Sequence, residues 1–333
     1  MVEKKSILFF SALLALCFIN NFALSAWNNN LKCKLCNDYI EGRYITFKNN
    51  AYHEKCYKDH IQLRCFHCKN TISGEYNIDN GKNYHKLCFR NFILQKCDVC
   101  FKPIDDLYIK DHYGNTYHNY HRSTMPTCES CNRLISSSIT NGGIKINKKR
   151  NVCNLCRKHT VNDKSKVNTI YIDVRDELIS LGISNIPEQI PIHLVESKGK
   201  LQKISEIFLP IGLQGYTKYE YQKIGKKKIN ENYTIYILSH LHEINFRAVL
   251  AHELLHVYLY KNDIHLKKSL VEGFCNLGSE HIYKSYGESK IARLRLDAMA
   301  KDDDPDYGKG YRIMSSELET NGWRKLLKKL EKY

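Results

Sequence analysis

This 333-residue chain lacks three things that would set its class at once. It lacks a long apolar run: the stretch from Ile7 to Ile19 is too short to span a bilayer comfortably, so no transmembrane segment is expected once a leader is removed. It lacks cysteine outside one region: of its 14 cysteines only Cys17 and Cys275 fall outside Cys33 to Cys156, so the architecture changes near residue 157. It is also poor in acid, with 35 aspartates and glutamates against 51 lysines and arginines. The resulting +16 fits either an acidic partner or a solvated lysine-rich surface.

The N-terminus does contain Lys4 and Lys5 ahead of the apolar run, and small residues at Ala23, Ser25 and Ala26 after it. That pattern reads as an export signal over residues 1-26, and the expected location is secreted or periplasmic. A membrane anchor left by an uncleaved signal is the alternative.

Pairs of cysteines two residues apart begin at Cys33, Cys65, Cys97 and Cys128, at intervals of 32, 32 and 31 residues. A second pair closes each copy, giving Cys33, Cys36, His53 and Cys56; Cys65, Cys68, His85 and Cys88; Cys97, Cys100, His118 and His121; and Cys128, Cys131, Cys153 and Cys156. Two residues between cysteines let a tight turn aim both sulfurs at one tetrahedral ion, while the intervening hairpin returns the second pair. Ile40, Ile72, Ile104 and Ile135 recur at one position, where each could pack beneath a metal; Tyr52, Tyr84 and Tyr117 precede the histidines of the first three copies. Units this small have no core of their own, so bound metal must supply much of their folding free energy. A disulfide framework is the competing reading for an exported protein, but it gives no reason for the repeated histidines. The modules resemble LIM domains, whose closed zinc sites imply protein interaction rather than catalysis. They depart from that pattern in spacing, with eight residues between Cys56 and Cys65, and between Cys88 and Cys97, where LIM units leave two. A short helix is expected to fill each gap.

From Arg157 to Asn168 the chain is polar and basic and reads as a linker. Beyond it, apolar stretches at Ile170 to Val174, Ile190 to Val195 and Ile204 to Ile211 indicate an α+β domain. Tyr233 to Leu238 is the clearest strand, and a helix is expected from about Ile244 to Tyr260. That helix carries His252, Glu253, Leu254, Leu255 and His256, so two histidines one turn apart can bind a single zinc from one face. Glu253 projects beside them as general base for a water activated by the metal. Glu272, on a second helix beginning around Lys268, is the expected third ligand, with His265 and His281 as rivals. Asn276, one turn further on, is placed to orient a histidine.

The order of modules and motif resembles the DA-one-type LIM peptidases. KCDVC at Cys97 to Cys100, PTCESC at Pro126 to Cys131 and NVCNLC at Asn151 to Cys156 are similar to that family's second, degenerate LIM. AHELLHV at Ala251 to Val257 is similar to its active-site helix, and VEGFCN at Val271 to Asn276 to its glutamate helix. The resemblance implies a zinc metallopeptidase of gluzincin type, with one catalytic and four structural zinc ions. It also implies protein substrates, and LIM modules that recruit a protein partner or restrain access. YGKGYR, Tyr307 to Arg312, is similar to a further segment of the family. In it Tyr307 or Arg312 could donate to a tetrahedral oxyanion, or Gly308 and Gly310 could simply make a turn. The family's plant members are controlled through ubiquitin-interacting helices ahead of the LIM; nothing similar precedes Cys33, so that control is not carried over.

The expected organisation is α+β, with zinc modules one and two over 31-96, modules three and four over 97-160, and a zincin-like peptidase domain over 165-333. The competing function is a LIM interaction scaffold with an inactive zincin-like domain. Nucleic-acid binding is not expected, because the modules lack the recognition-helix spacing of a DNA-reading zinc finger.

Overall fold

The computed structural model describes residues 3–5, 31–206, 213–225 and 227–332. All but 3–5 of the expected export signal, and part of the apolar stretch from Ile204 to Ile211, lie outside the described residues. The chain is mixed α and β. It forms two compact units: one takes in the residues up to Lys110 with Thr116–Asn119, the other Asp111–Asn115 with Tyr120 onward.

The first unit repeats one small motif. After the second cysteine of each pair the chain turns back, the amides of Asn37, Lys69 and Phe101 donating to the carbonyls of Cys33, Cys65 and Cys97 at 2.9, 2.9 and 2.8 Å. Those three residues take φ of 64°, 64° and 61°. This left-handed turn suits asparagine and costs more for lysine and phenylalanine, so some other interaction must hold it. Hairpins follow, pairing Tyr44–Phe47 with Asn50–His53, Tyr76–Asp79 with Lys82–His85, and Tyr108–Lys110 with Thr116–His118. A tyrosine opposes the histidine in each register: Tyr44 with His53, Tyr76 with His85, Tyr108 with His118. Glu3–Lys5 adds an antiparallel strand to Tyr108–Lys110. The short helices Glu54–Cys56 and Lys86–Cys88 continue into wider helical turns at Tyr57–Ile61 and Phe89–Ile93, which lie in the two eight-residue gaps. Tyr52, Tyr84, Tyr117, Ile72 and Ile104 are buried, which gives each copy a core of a few side chains.

The second unit opens with the fourth copy, whose hairpin pairs Gly143–Asn147 with Arg150–Cys153. Residues 157–168 are not the linker that their composition suggests. Thr160–Val161 pairs antiparallel with Leu241–His242, and a helix runs over Lys164–Ser180, its N-cap Asp163 accepting from the amide of Lys166. Single apolar anchors, Val161 and Val167, hold this segment while Lys158 and Lys164 are exposed and Lys166 pairs with Glu243, so composition alone hides the structure.

A three-stranded sheet comes next, with Lys227–Leu238 in the centre, parallel to Ile192–Val195 and antiparallel to Gly215–Ile224. Ile235 and Ile237 of the central strand are fully buried. Four helices follow: Glu243–Lys261, Lys268–Ser285, Lys290–Ala300, and Gly308–Leu330 with a break at Gly322. The first of them, the HELLH helix, buries Phe246, Leu250, Leu254, Leu255 and Val257 on several faces, as a helix at the centre of a core must. The sheet edge and the Glu272 helix (Lys268–Ser285) flank it, the latter fastened where Ser279 Oγ donates to the carbonyl of Ala248 at 2.8 Å. A Cβ on Gly310 would overlap the carbonyl of Ser269, so this glycine serves a close helix approach rather than a turn.

Candidate metal centres and active site

All four sets of the repeat converge in space: Cys33, Cys36, His53 and Cys56; Cys65, Cys68, His85 and Cys88; Cys97, Cys100, His118 and His121; Cys128, Cys131, Cys153 and Cys156. In every set the ligand atoms lie within 4.8 Å of one another, and each set could hold a metal ion. No disulfide joins any of the described cysteines, so the disulfide reading finds no support among them.

The histidines share one arrangement. Nδ1 of His53 lies 3.3 Å from Cys36 Sγ, while its Nε2 meets the carbonyl of Tyr39 at 3.1 Å. His85 repeats this with Cys68 at 3.3 Å and Thr71 at 2.9 Å, and His118 with Cys100 at 3.5 Å and Pro103 at 3.2 Å. A carbonyl accepts a proton only from Nε2–H, which leaves Nδ1 as a lone pair aimed at the sulfurs; this is how a metal-binding histidine is oriented. The amides of His53, His85 and Cys153 donate to the first sulfur of their sets at 3.4, 3.5 and 3.3 Å. For Cys33 and Cys65, burial opposes the thiolate, but such amide bonds outweigh it and lower each thiol to about 6.

A fifth group lies on the HELLH helix. His242 caps the helix, its Nδ1 accepting from the amide of Ile244 at 3.3 Å. The two histidines bring their Nε2 atoms to 3.2 Å, and Oε2 of Glu272 lies 3.4 Å from His252 Nε2 and 3.8 Å from His256 Nε2. Asn276 fixes the protonation pattern: its Nδ2 donates to the carbonyl of Tyr307 at 3.1 Å, so its Oδ1, 3.0 Å from His252 Nδ1, must accept from that nitrogen. Nδ1 of His252 thus carries a proton, and a neutral ring would offer the Nε2 lone pair to a cation; burial opposes a second proton there, but the hydrogen bond to Glu272 and the charge of Glu253 raise its pKa.

Two ring nitrogens and a carboxylate oxygen converge on one point, as the ligands of a single cation do. Oε2 of Glu272 is buried with no hydrogen-bond donor, as such a site requires. Tetrahedral zinc with nitrogen and oxygen ligands spaces them about 3.3 Å apart, close to the observed triangle. The donor set thus fits a divalent ion.

Burial pushes Glu253 up to about 7, opposed by the neighbouring His252 and by a hydrogen bond from Thr217, which suits a carboxylate that must take and release a proton. Burial, and then His252, drives His256 down to about 4, keeping it neutral and available as a ligand. Burial also works against the charge on Glu272, but the two histidines hold its carboxyl below the ordinary range.

Three neighbours were not foreseen in the sequence. Thr217 donates to Glu253 Oε2 at 2.7 Å, and a Cβ on Gly215 would collide with the same carboxylate. Both come from a strand far away in sequence, where nothing marks them. Cys275 lies with His252 and His256 in a set whose ligand atoms fall within 4.8 Å. Glu272 is the better third-ligand candidate, because its oxygen lies 3.4 and 3.8 Å from the two rings and burial lifts the Cys275 thiol well above its ordinary range. Its place outside the repeat, three residues from Glu272, was the available signal.

Among the remaining expectations, His265 is exposed and paired with Asp263, and His281 faces Glu177 at 3.8 Å, so neither rival joins the centre. Arg312 binds the carbonyls of Ala300 and Asp302 at 3.3 and 2.6 Å. Tyr307 differs: burial and the charges of Glu272 and Glu253 raise its phenol far above the ordinary value, which sets it in the field of both carboxylates. No family model matches this chain, and no curated protein matches it either.

Proposed function

We infer that this protein is a zinc-dependent peptidase of the HExxH type, related to the DA-one-type LIM peptidases, with four zinc-stapled LIM-like modules ahead of a zincin-like domain. One observation carries the reading: Nε2 of His252, Nε2 of His256 and a buried oxygen of Glu272 lie 3.2 to 3.8 Å from one another, with Glu253 buried beside them. Zinc held by His252, His256 and Glu272 would supply Lewis acidity, polarising a peptide carbonyl and acidifying water. Glu253 takes the water proton and hands it to the departing amine, and its raised pKa suits both transfers. Thr217 holds one oxygen of Glu253, leaving the other for the proton. Tyr307 donates a hydrogen bond to the developing oxyanion. Protein chains are the substrate class, the LIM-like modules bind substrate or partner, and export by the N-terminal signal is the proposed route.

An interaction scaffold is the second reading, and Cys275 is the observation that favours it. A fourth protein ligand would close the position that a catalytic centre keeps open.

The deciding experiment compares Glu253→Gln with the unaltered chain on an unfolded protein substrate, with zinc counted in both. Hydrolysis is expected to fall about 100-fold or more with five zinc ions retained. Equal rates in the two proteins would dispose of the peptidase reading.

A further inference from the structure

Arg150 belongs to the four-cysteine copy, yet two of its side-chain hydrogen bonds end elsewhere. Its side chain is 2% exposed. Nε and Nη2 grip the Glu129 carboxylate at 2.9 and 2.6 Å, Nη1 donates to the carbonyl of Glu196 at 2.9 Å, and Nη2 also donates to the carbonyl of Ser239 at 2.6 Å. Glu129 sits between Cys128 and Cys131, and Arg295 donates to its carbonyl at 2.8 Å. Glu196 and Ser239 each follow directly on a neighbouring strand, Ile192–Val195 and Lys227–Leu238. One buried guanidinium therefore joins the cysteine turn to the ends of two parallel strands.

The same short connection is held a second time. After Ser239, the amide of His240 donates to Val161 and that of Glu243 to His159, both in the segment that leaves Cys156, at 2.9 and 2.8 Å. Glu243 is the first residue of the HELLH helix. The stretch from Ser239 to Glu243 thus has a partner from the four-cysteine copy at either end.

We propose that the four-cysteine centre is a built-in part of the hydrolytic unit, and that Arg150 is the positioning residue through which its metal-bound state fixes the start of the HELLH helix. The inference rests on reading Cys128, Cys131, Cys153 and Cys156 as a metal centre; it does not require that the protein hydrolyse peptides. Metal loss lets the cysteine turn unfold and carries Glu129 away. Arg150 is left as a buried charge without its counter-ion, a costly state that is relieved only if it moves into water. The carbonyls of Glu196 and Ser239 then lose their donor, and the helix start loses its support.

Amide hydrogen exchange on the full zinc-loaded chain tests this. In Cys128→Ser, protection of the amides from Ser239 to Phe246 is expected to fall about tenfold or more, while Cys33→Ser leaves those amides unchanged. Arg150→Met is expected to reproduce the loss with all zinc retained, and combining it with Cys128→Ser to add little. Should Cys128→Ser unfold the whole unit, Arg150→Met and Glu129→Gln still report on the same amides. Unchanged protection in Arg150→Met, or full additivity of the pair, overturns the proposal. These outcomes are independent of Glu253→Gln turnover, so the hydrolytic reading and this one can fail separately.

Discussion

Thr217 shares its hydroxyl proton between Oε2 of Glu253, at 2.7 Å, and that residue's own carbonyl, at 3.1 Å. A residue on the edge strand Gly215–Ile224 therefore sets the direction of a carboxylate on the HELLH helix. Thr217→Val keeps the shape and removes the donor, and about a tenfold fall in kcat is expected with zinc content unchanged. Gly215→Ala should cost more, since its methyl would displace the carboxylate. Steady-state rates with metal analysis check both; a Thr217→Val enzyme as fast as the original would remove Thr217 from the mechanism.

Glu272 and Cys275 compete as third ligand, and substitution separates them. Glu272→Gln is expected to weaken the zinc at His252 and His256 by about 10-fold or more, because a buried anionic donor is lost while the other four ions stay bound. Cys275→Ser should retain all five ions and hydrolyse normally. Chelator competition followed by metal counting measures this, and loss of one ion in Cys275→Ser would exchange the roles.

Tyr307 and Arg312 are expected to behave differently although both lie in YGKGYR. Tyr307→Phe should lower kcat about 10-fold to 100-fold with little change in KM, as removal of an oxyanion donor does. Arg312→Lys removes one or two bonds to carbonyls at the end of the Lys290–Ala300 helix and should lower the melting temperature without changing kcat. Equal kcat in Tyr307→Phe and the unaltered chain excludes the phenol.

His242 predicts sensitivity to acid. Burial, then the nearby His159, depresses its pKa to about 4 from the ordinary 6.5. The folded state therefore holds it neutral while the unfolded chain takes up a proton below about 6.5. The stability it contributes is present above that pH and is lost as pH falls toward 4, where protonation also destroys its capping of Ile244. Melting temperatures from pH 7 to 4.5 should fall, and fall less in His242→Asn, which can still cap the helix. Parallel slopes in the two proteins would show that His242 has no part in it.

The ligand sets, the strand Tyr233 to Leu238 and the HELLH helix were legible because each is a local pattern. A cysteine pair needs only its own turn, and His252 and His256 share a helix face through the helix repeat alone. Glu272 and Asn276 were reachable for the same reason, being one turn apart on a second helix. Thr217, Gly215 and the buried Arg150 were not, since each owes its role to a partner distant in sequence. The supposed linker failed on similar grounds: two residues of strand carry no periodic signal, and their partners lie at Leu241–His242.

The sequence by itself determined which atoms could bind metal and which helix would carry them, because spacing along a turn or a helix fixes local geometry. Tertiary structure alone decided that His252, His256 and Glu272 meet, that Arg312 binds the carbonyls of Ala300 and Asp302, and that the four-cysteine copy is joined to the start of the HELLH helix. Those outcomes depend on how separate elements pack, and packing is set by shape and burial across the whole core rather than by any one stretch of chain.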